Sequence, residues 1–331
     1  GCSSLISIII PNSVETIGDY VFEGCSSLTS IIISNSVTSI ANYAFVYCSN
    51  LKIITIGNSI TSINRYAFQG CSSLTSITIP DSVISIGDYA FSDCSSLTSI
   101  IIPYSVEIIS DYAFQGCSSL ISIKIGSSVT SIGNYVFRGC SSLTSIEVNF
   151  DNQNYISEDG ILFNKDEDEL LCYPMNKEGE YYFISDKVSA IGIDAFSGNI
   201  NLKTIIIPDT VVSFKNSSIS NTNVLTTILF ETTTPPTTCG SDPFVNNKEE
   251  MKIIVREDFD NPNICSTQET IMNNAGTKMG DNKAYYIYEE VSKYLFVYGK
   301  QGKIKDYSET EPNTWNSKNE EIQTLKIKDI Q

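Results

Sequence analysis

The 331-residue chain contains no histidine, and this absence narrows the functions open to it. Histidine is the commonest general base and the commonest metal ligand, so a Ser-His-Asp or Cys-His catalytic site within the chain is excluded. Basic residues are scarce as well, with 21 lysines and arginines against 38 acidic residues and a net charge of −17. Nucleic acid is therefore a poor partner, because its phosphates would be repelled.

Long apolar segments and closely spaced cysteine pairs are also absent. No apolar run reaches the roughly 18 residues that a membrane-spanning helix needs, so we expect no direct membrane insertion. None of the ten cysteines forms a C-x-x-C pair, which makes a zinc site improbable. The chain is thus expected to be no enzyme, and to hold no catalytic residues, no metal and no cofactor.

What the sequence has in abundance is a 23-residue repeat. The segment GCSSLTSITIPDSVISIGDYAFSD at residues 70–93 recurs with variations through residues 1–148. Its first apolar column consists of leucines at equivalent positions: Leu5, Leu28, Leu51, Leu74, Leu97, Leu120 and Leu143. A repeat this short cannot bury its own apolar residues, so the coils must stack into one continuous core.

The two halves of each repeat predict different structures. The half L-x-x-I-x-I is rich in β-branched residues and predicts a short strand. Strands of adjacent coils would pair in parallel about 4.8 Å apart, so that seven coils give a sheet roughly 30 Å long. The other half, such as VISIGDYAF at residues 83–91, predicts short turns or 3₁₀ segments. Gly18, Gly87 and Gly133 indicate a turn that can need positive φ.

The full pattern L-x-x-I-x-I-P-x-S-V-x-x-I-G-x-Y-A-F-x-x-C-x-x-L resembles the BspA-like class of leucine-rich repeats. Such repeats occur in surface proteins of anaerobic bacteria and mucosal protists. The resemblance implies a β-rich leucine-rich-repeat solenoid with a parallel sheet on one face. It also implies a cell-surface or secreted location, although the chain opens in the middle of a repeat and reads as an excerpt of a longer protein.

We divide the chain into five segments by where the 23-residue rhythm holds. They are the regular repeats at 1–148, an acidic β-hairpin insertion at 149–187, degenerate repeats with a cap at 188–275, a linker at 276–282, and a small β module at 283–331. The last segment resembles the module that precedes BspA-like arrays, a match carried by Tyr307, Pro312 and Trp315. The insertion contains ten acidic and three basic residues. Its acidic run at 166–169 lacks the glycine and alternating ligands of a calcium loop, which favours a solvated hairpin tip.

The cysteines have two interpretations. Seven of them occupy one position of the repeat, from Cys2 to Cys140. They could form a disulfide ladder or bind a metal, but a column of small buried groups is favoured, since parallel side chains do not converge as a disulfide requires. Asn199 takes the same position later, which indicates an asparagine- or cysteine-type ladder. The sequence does not decide whether Cys239 and Cys265 form a disulfide.

Two surfaces are candidate binding sites. The strand face presents the third and fifth residues of L-x-x-I-x-I, and its candidate contacts are Ser30, Ile32, Ile53, Thr55, Ser76, Thr78, Ser99, Ile101, Ser122, Lys124, Ser145 and Glu147. The other surface is a column of tyrosines: Tyr20, Tyr43, Tyr66, Tyr89, Tyr112 and Tyr135. Exposed rings could stack on sugars, but we favour tyrosines that cover the edge of the core with their hydroxyls in water.

Two functions remain for such a chain. The first is adhesion, in which the solenoid binds a protein of the host cell or of the extracellular matrix. The second is a structural spacer that lengthens a larger surface protein and binds nothing itself. The near-identity of the coils favours the spacer, whereas the family resemblance favours adhesion.

Overall fold

The computed structural model describes residues 1–232, 234–247, 251–254 and 264–265. These residues form a β-solenoid of about ten turns. The predicted linker at 276–282 and the predicted β module at 283–331 lie outside the described residues. No helix in the described ranges is long and apolar enough to cross a membrane.

The first wall of the solenoid, which we call the strand face, is formed by the L-x-x-I-x-I segments. In the first seven coils its strands are β1 (Ser7–Ile10), β3 (Ser30–Ile33), β5 (Ile53–Thr55), β8 (Ser99–Ile101), β10 (Ser122–Ile125) and β12 (Ser145–Val148). They pair in parallel with a shift of one repeat, as in Ser7 with Ser30. The predicted parallel sheet is therefore confirmed, but it falls into two three-stranded halves.

A second wall carries a sheet that the sequence analysis did not predict. Its strands are two residues long: β2 (Thr16–Ile17), β4 (Ser39–Ile40), β6 (Ser62–Ile63), β7 (Ser85–Ile86), β9 (Ile108–Ile109) and β11 (Ser131–Ile132). They form one continuous six-stranded parallel sheet. Each strand contributes one isoleucine to the core, and that residue is fully buried in the inner coils.

The third wall, which we call the turn wall, consists of turns, and the described residues contain no 3₁₀ helix. Positive φ occurs at tyrosines such as Tyr89 (55°), and not at Gly18, Gly87 or Gly133, so the prediction for those glycines was wrong. Gly87 and Gly133 instead permit close packing of coils. A Cβ on Gly87 would lie 2.8 Å from the backbone nitrogen of Arg65 in the preceding coil.

The core consists of columns of identical side chains. The largest column is a run of stacked phenylalanines whose ring centres lie 5.1–6.2 Å apart: Phe22, Phe45, Phe68, Phe91, Phe114 and Phe137. The four inner rings are completely buried. Burial of one such side chain contributes about 1.5–3 kcal/mol, so the columns are the main source of stability.

The insertion forms an antiparallel three-stranded unit between the two arrays. The predicted hairpin corresponds to β14 (Ile161–Asn164) and β15 (Glu169–Cys172), and a further strand that was not predicted, β13 (Tyr155–Glu158), precedes it. β15 then pairs in parallel with β17 (Ala190–Ile191), which joins the insertion to the second array.

The second array repeats the same walls with a less regular sequence. On the strand face lie β16 (Tyr181–Phe183), β18 (Thr204–Ile207), β20 (Thr227–Phe230) and β22 (Lys252–Ile254), where β16 comes from the end of the segment 149–187 that was assigned to the insertion. On the second wall, β19 (Ser213–Phe214) and β21 (Thr238–Cys239) follow β17. Cys239 and Cys265 form a disulfide with a Cα–Cα distance of 5.3 Å. This disulfide, which the sequence did not decide, covalently links residue 265 to the coil that contains Cys239.

Candidate functional site

The strand face of the first array positions the predicted contact residues. Alternate residues of each strand point into the core, which leaves the residues between them outside, as the burial pattern of Ser122–Ile125 illustrates. The register places Ile32 beside Thr55 and Lys124 beside both Ile101 and Glu147. The predicted residues thus form two rows across the coils.

Exposed isoleucines give this face an apolar character. Ile9 is 69% exposed, Ile32 47%, Ile53 64% and Ile101 64%. Ile9 and Ile32 are direct neighbours in the register. Single exposed apolar residues are ordinary, but several on one flat face are typical of an interaction surface.

The strand face is interrupted at its fourth coil. Ser76–Ile79 have the same sequence pattern as their neighbours but form no strand. Within residues 1–232, their backbone groups make no hydrogen bond to the coil on either side. The core residues Ile77 and Ile79 are 8% and 5% exposed, compared with 0% and 1% for Ile123 and Ile125. The two halves of the sheet therefore separate here.

An open groove follows this interruption. Six of the twelve predicted residues line it, namely Ser76, Thr78, Ser99, Ile101, Lys124 and Glu147. Ser30, Ile32, Ile53 and Thr55 lie in the coils before the interruption, while Ser122 and Ser145 are half-buried within their strands.

Tyr104 also lines the groove, is 62% exposed, and was missed by the sequence analysis. The available signal was its departure from the repeat, in which asparagine, aspartate or serine usually follows the strand's last proline or glycine.

The groove contains backbone polar groups, hydroxyls and one exposed ion pair between Lys124 and Glu147 at 2.9 Å. In the part of the chain that the structure describes, no three metal-binding side chains gather at one point. The groove can therefore bind a surface that presents both polar and apolar groups.

The tyrosine column forms a regular ladder along the turn wall. Adjacent rings are nearly parallel, with centres 4.6–4.9 Å apart. Each inner ring has both of its faces covered by the neighbouring tyrosines. A sugar cannot stack on a covered face, so the geometry favours the core-edge role for the inner rings.

The repeat cysteines form a buried ladder of free thiols from Cys25 to Cys140. Each thiol from Cys48 onward donates to a phenylalanine carbonyl 26 residues earlier, as in the 3.2 Å bond from Cys94 to Phe68. Burial, followed by the preceding cysteine, raises the pKa of Cys48 to about 12, so it is unreactive at neutral pH. Asn199 donates in the same manner to the carbonyl of Pro174 at 3.0 Å.

The acidic run of the insertion is a paired hairpin tip. Glu167 forms an ion pair with Lys187 at 2.8 Å, and Glu169 with Lys215 at 2.5 Å. Asp168 accepts a hydrogen bond from the side chain of Asn164. The pairs with Lys187 and Asn164 lie within the insertion, and the pair of Glu169 with Lys215 attaches the insertion to the second array.

Comparison with known proteins agrees with this architecture. A model of the BspA type leucine-rich repeat region matches in six copies, over residues 1–82, 61–164 and 175–280. The comparison with curated protein sequences finds no match.

Several solved structures share the fold. A leucine-rich cell surface protein of Faecalibacterium prausnitzii is 27% identical, with a TM-score of 0.55 over 76% of this chain and 82% of that one. A leucine-rich-repeat protein of Bacteroides ovatus is also 27% identical, with a TM-score of 0.56 over 77% and 72%. One from Eubacterium ventriosum, 24% identical with a TM-score of 0.62 over 77% and 74%, shares the fold alone.

Proposed function

The chain belongs to the BspA-type leucine-rich-repeat family, and we propose that it is a cell-surface or secreted adhesion protein whose strand face binds protein. Leucine-rich-repeat folds of this kind are typical of non-enzymatic proteins that interact with other proteins. The observation that carries the proposal is the interrupted strand face, where exposed isoleucines flank a groove with unpaired backbone groups.

The groove supports a protein partner in two ways. Within the described ranges, amides and carbonyls of Ser76–Ile79 make no hydrogen bond to the adjacent coils, and we propose that those facing the groove bind polar groups of a partner. Ile53 and Ile101, before and after the interruption, offer apolar contacts, while Tyr104 adds an aromatic anchor of the kind enriched at interfaces.

We place the partner on a host cell or in the extracellular matrix, and the protein itself at the cell surface or outside the cell. The relative from Faecalibacterium prausnitzii is described as a cell surface protein. The disulfide between Cys239 and Cys265 supports the same location, because disulfides persist in oxidising compartments.

The test is binding of the purified chain to a panel of matrix proteins and to cultured mucosal cells. We expect the double substitution Ile53→Lys with Ile101→Lys to weaken binding at least tenfold. Ile84 and Ile108 are 46% and 43% exposed on or beside the second wall and provide a matched control pair. Equal loss from Ile84→Lys with Ile108→Lys, or no binding to any member of the panel at micromolar protein, would contradict the proposal.

The spacer function is the second candidate. It is favoured by the near-identical outward-facing residues of successive coils on the strand face. Serine recurs at the same outward position of six of the seven coils, whereas a specific site needs varied residues. Deletion of residues 70–92 removes one whole repeat in phase, including the interruption at Ser76–Ile79. Absence of binding by the intact chain favours the spacer, whereas binding that this deletion abolishes, with an intact circular dichroism spectrum, favours the binding groove.

A further inference from the structure

The tyrosine ladder ends at Tyr135, next to the insertion. One face of this ring stacks on Tyr112 at 4.9 Å, but no ring of the described residues covers its other face. In the next array, Asp194 occupies the equivalent position before Ala195-Phe196 and has the same left-handed backbone, with φ of 59° against 58° for Tyr135. The aromatic ladder therefore stops where the two arrays meet, and among the residues that the structure describes the far side of Tyr135 carries no stacked ring.

The hydrogen-bond ladder of the turn wall is also interrupted at this point. In the preceding coil, the amides of Tyr112, Phe114 and Gly116 donate to carbonyls of the next coil at 2.8–3.1 Å. The corresponding amides one coil later belong to Tyr135, Phe137 and Gly139. Across the described ranges of the chain, these three amides have no hydrogen-bond acceptor.

The reason is the insertion, which changes the spacing between coils. Tyr173 takes the position of the next phenylalanine in the column, because its amide donates to the carbonyl of Ala195 at 2.7 Å and its ring stacks on Phe196 at 5.2 Å. It lies 36 residues after Phe137 instead of 23. The extra strands β13 and β14 fill the gap on the other walls but leave the turn wall open.

A cleft of about 210 Å³ occupies this gap. Its lining includes the ring of Tyr135, the guanidinium of Arg138, the ion pair of Glu169 with Lys215, and the carboxylate of Asp194. The Arg138 guanidinium carbon lies 5.5 Å from the centre of the Tyr135 ring. The Oδ1 atom of Asp194 is buried and has no hydrogen-bond partner. The side chain of Ser197 hydrogen-bonds the Asp194 carboxylate, so a further donor from a ligand or from water is needed only at Oδ1.

We propose that this cleft binds a single neutral sugar residue, such as the terminal hexose of a glycan. The charges that line the cleft balance, with Arg138 and Lys215 against Glu169 and Asp194. A cationic ligand would oppose Arg138 and the free amides, and an anionic ligand would oppose Asp194. Hydroxyl groups both donate and accept, so a polyol satisfies the carboxylate and the amides together.

Shape and size agree with this ligand class. The apolar C–H face of a pyranose ring can pack against the side of Tyr135 on which no ring of the described residues stacks, next to the Arg138 guanidinium. The cleft volume of about 210 Å³ is enough to admit one sugar ring. The inference stands independently of the protein-binding groove on the strand face, because the two sites share no residue.

The test is saturation-transfer NMR on the full chain with glucose, galactose, mannose, fucose and N-acetylglucosamine as separate probes. We expect at least one sugar to bind with a Kd on the order of 1 mM. Asp194→Asn, which preserves shape, should weaken that binding about tenfold. Tyr135→Ala should do the same, whereas the matched variants Tyr43→Ala and Asp88→Asn, made outside the cleft, should stay within twofold of the parent chain.

Two further probes distinguish the alternatives. Methylguanidinium or acetate binding more tightly than every sugar would overturn the proposal in favour of a charged ligand. No saturable binding of any probe to the folded chain would overturn it in favour of a cleft filled by water alone. Circular dichroism of each variant confirms that the chain is folded, and Asp194→Asn keeps the test decisive if Tyr135→Ala fails to fold.

Discussion

Truncation of one phenylalanine in the middle of the core column tests how the solenoid is stabilised. Phe91 is completely buried, with its ring between Phe68 at 5.4 Å and Phe114 at 5.5 Å. We expect Phe91→Ala to lower the free energy of unfolding by about 3–5 kcal/mol, the usual range for loss of a buried aromatic side chain. The value should fall in the upper half of this range, because the stacked coils on both sides hinder collapse into the cavity.

The matched control is Phe22→Ala at the start of the same column. Phe22 is 7% exposed, and among the described residues its ring stacks on Phe45 alone, at 5.1 Å. It lacks one stacking pair, which contributes roughly 0.5–1.5 kcal/mol, and its neighbours can relax toward solvent. The loss in the free energy of unfolding should therefore be smaller for Phe22→Ala than for Phe91→Ala by at least about 1 kcal/mol.

The assay is urea unfolding of both variants followed by circular dichroism, with the slope of each transition compared alongside its midpoint. A solenoid responds to a defect mainly through its nearest-neighbour interfaces, so a central defect affects two interfaces and a terminal defect one. Equal losses for the two variants, or a loss below about 1.5 kcal/mol for Phe91→Ala, would refute this reasoning.

Three other perturbations have defined outcomes. Asn199→Ala removes the bond to Pro174 and leaves two backbone amides without their acceptor, so urea unfolding should show a loss of about 2–4 kcal/mol. Reduction of the Cys239–Cys265 bridge, which closes a loop with a sequence separation of 26, should destabilise the second array by about 3.5 kcal/mol; an unchanged urea midpoint with dithiothreitol would argue against a structural bridge. Burial raises the pKa of the Asp194 carboxyl, so its charged form costs stability above that pKa and the cost vanishes below about pH 4. Asp194→Asn should therefore raise the Tm at pH 7 and leave it nearly unchanged at pH 3, as measured by thermal unfolding.

The regular part of the fold can be predicted from the sequence, because all of its apolar residues recur with the same period. Leucine, isoleucine and phenylalanine recur at a fixed period, and stacking is the one arrangement that buries all of them. The cysteine ladder was predictable for the same reason, as was its continuation at Asn199, whose buried side chain replaces the thiol as a donor.

Features that depend on contacts between distant residues were not predictable. Ser76–Ile79 have the sequence of an ordinary strand, so the interruption there reflects how the surrounding coils stack and has no local cause in the sequence. Tyr89 and its equivalents have positive φ, a conformation that usually favours glycine. Tyrosine is tolerated there because the stacking of adjacent rings compensates for the cost of this backbone conformation. The cleft beside Tyr135 arises because the insertion changes the spacing between coils. The residue type at any one position does not predict this change.

The central claim is that the strand face of the first array binds a protein partner. Amide hydrogen exchange of the chain, measured with and without a matrix protein or cell-surface extract fraction that it binds, tests this most directly. Amides at Ser76–Ile79 lack partners in the free chain, so we expect fast exchange there that slows at least tenfold in the complex. Protection confined to the turn wall or to residues 149–247, with no change at Ser76–Ile79, would contradict the account.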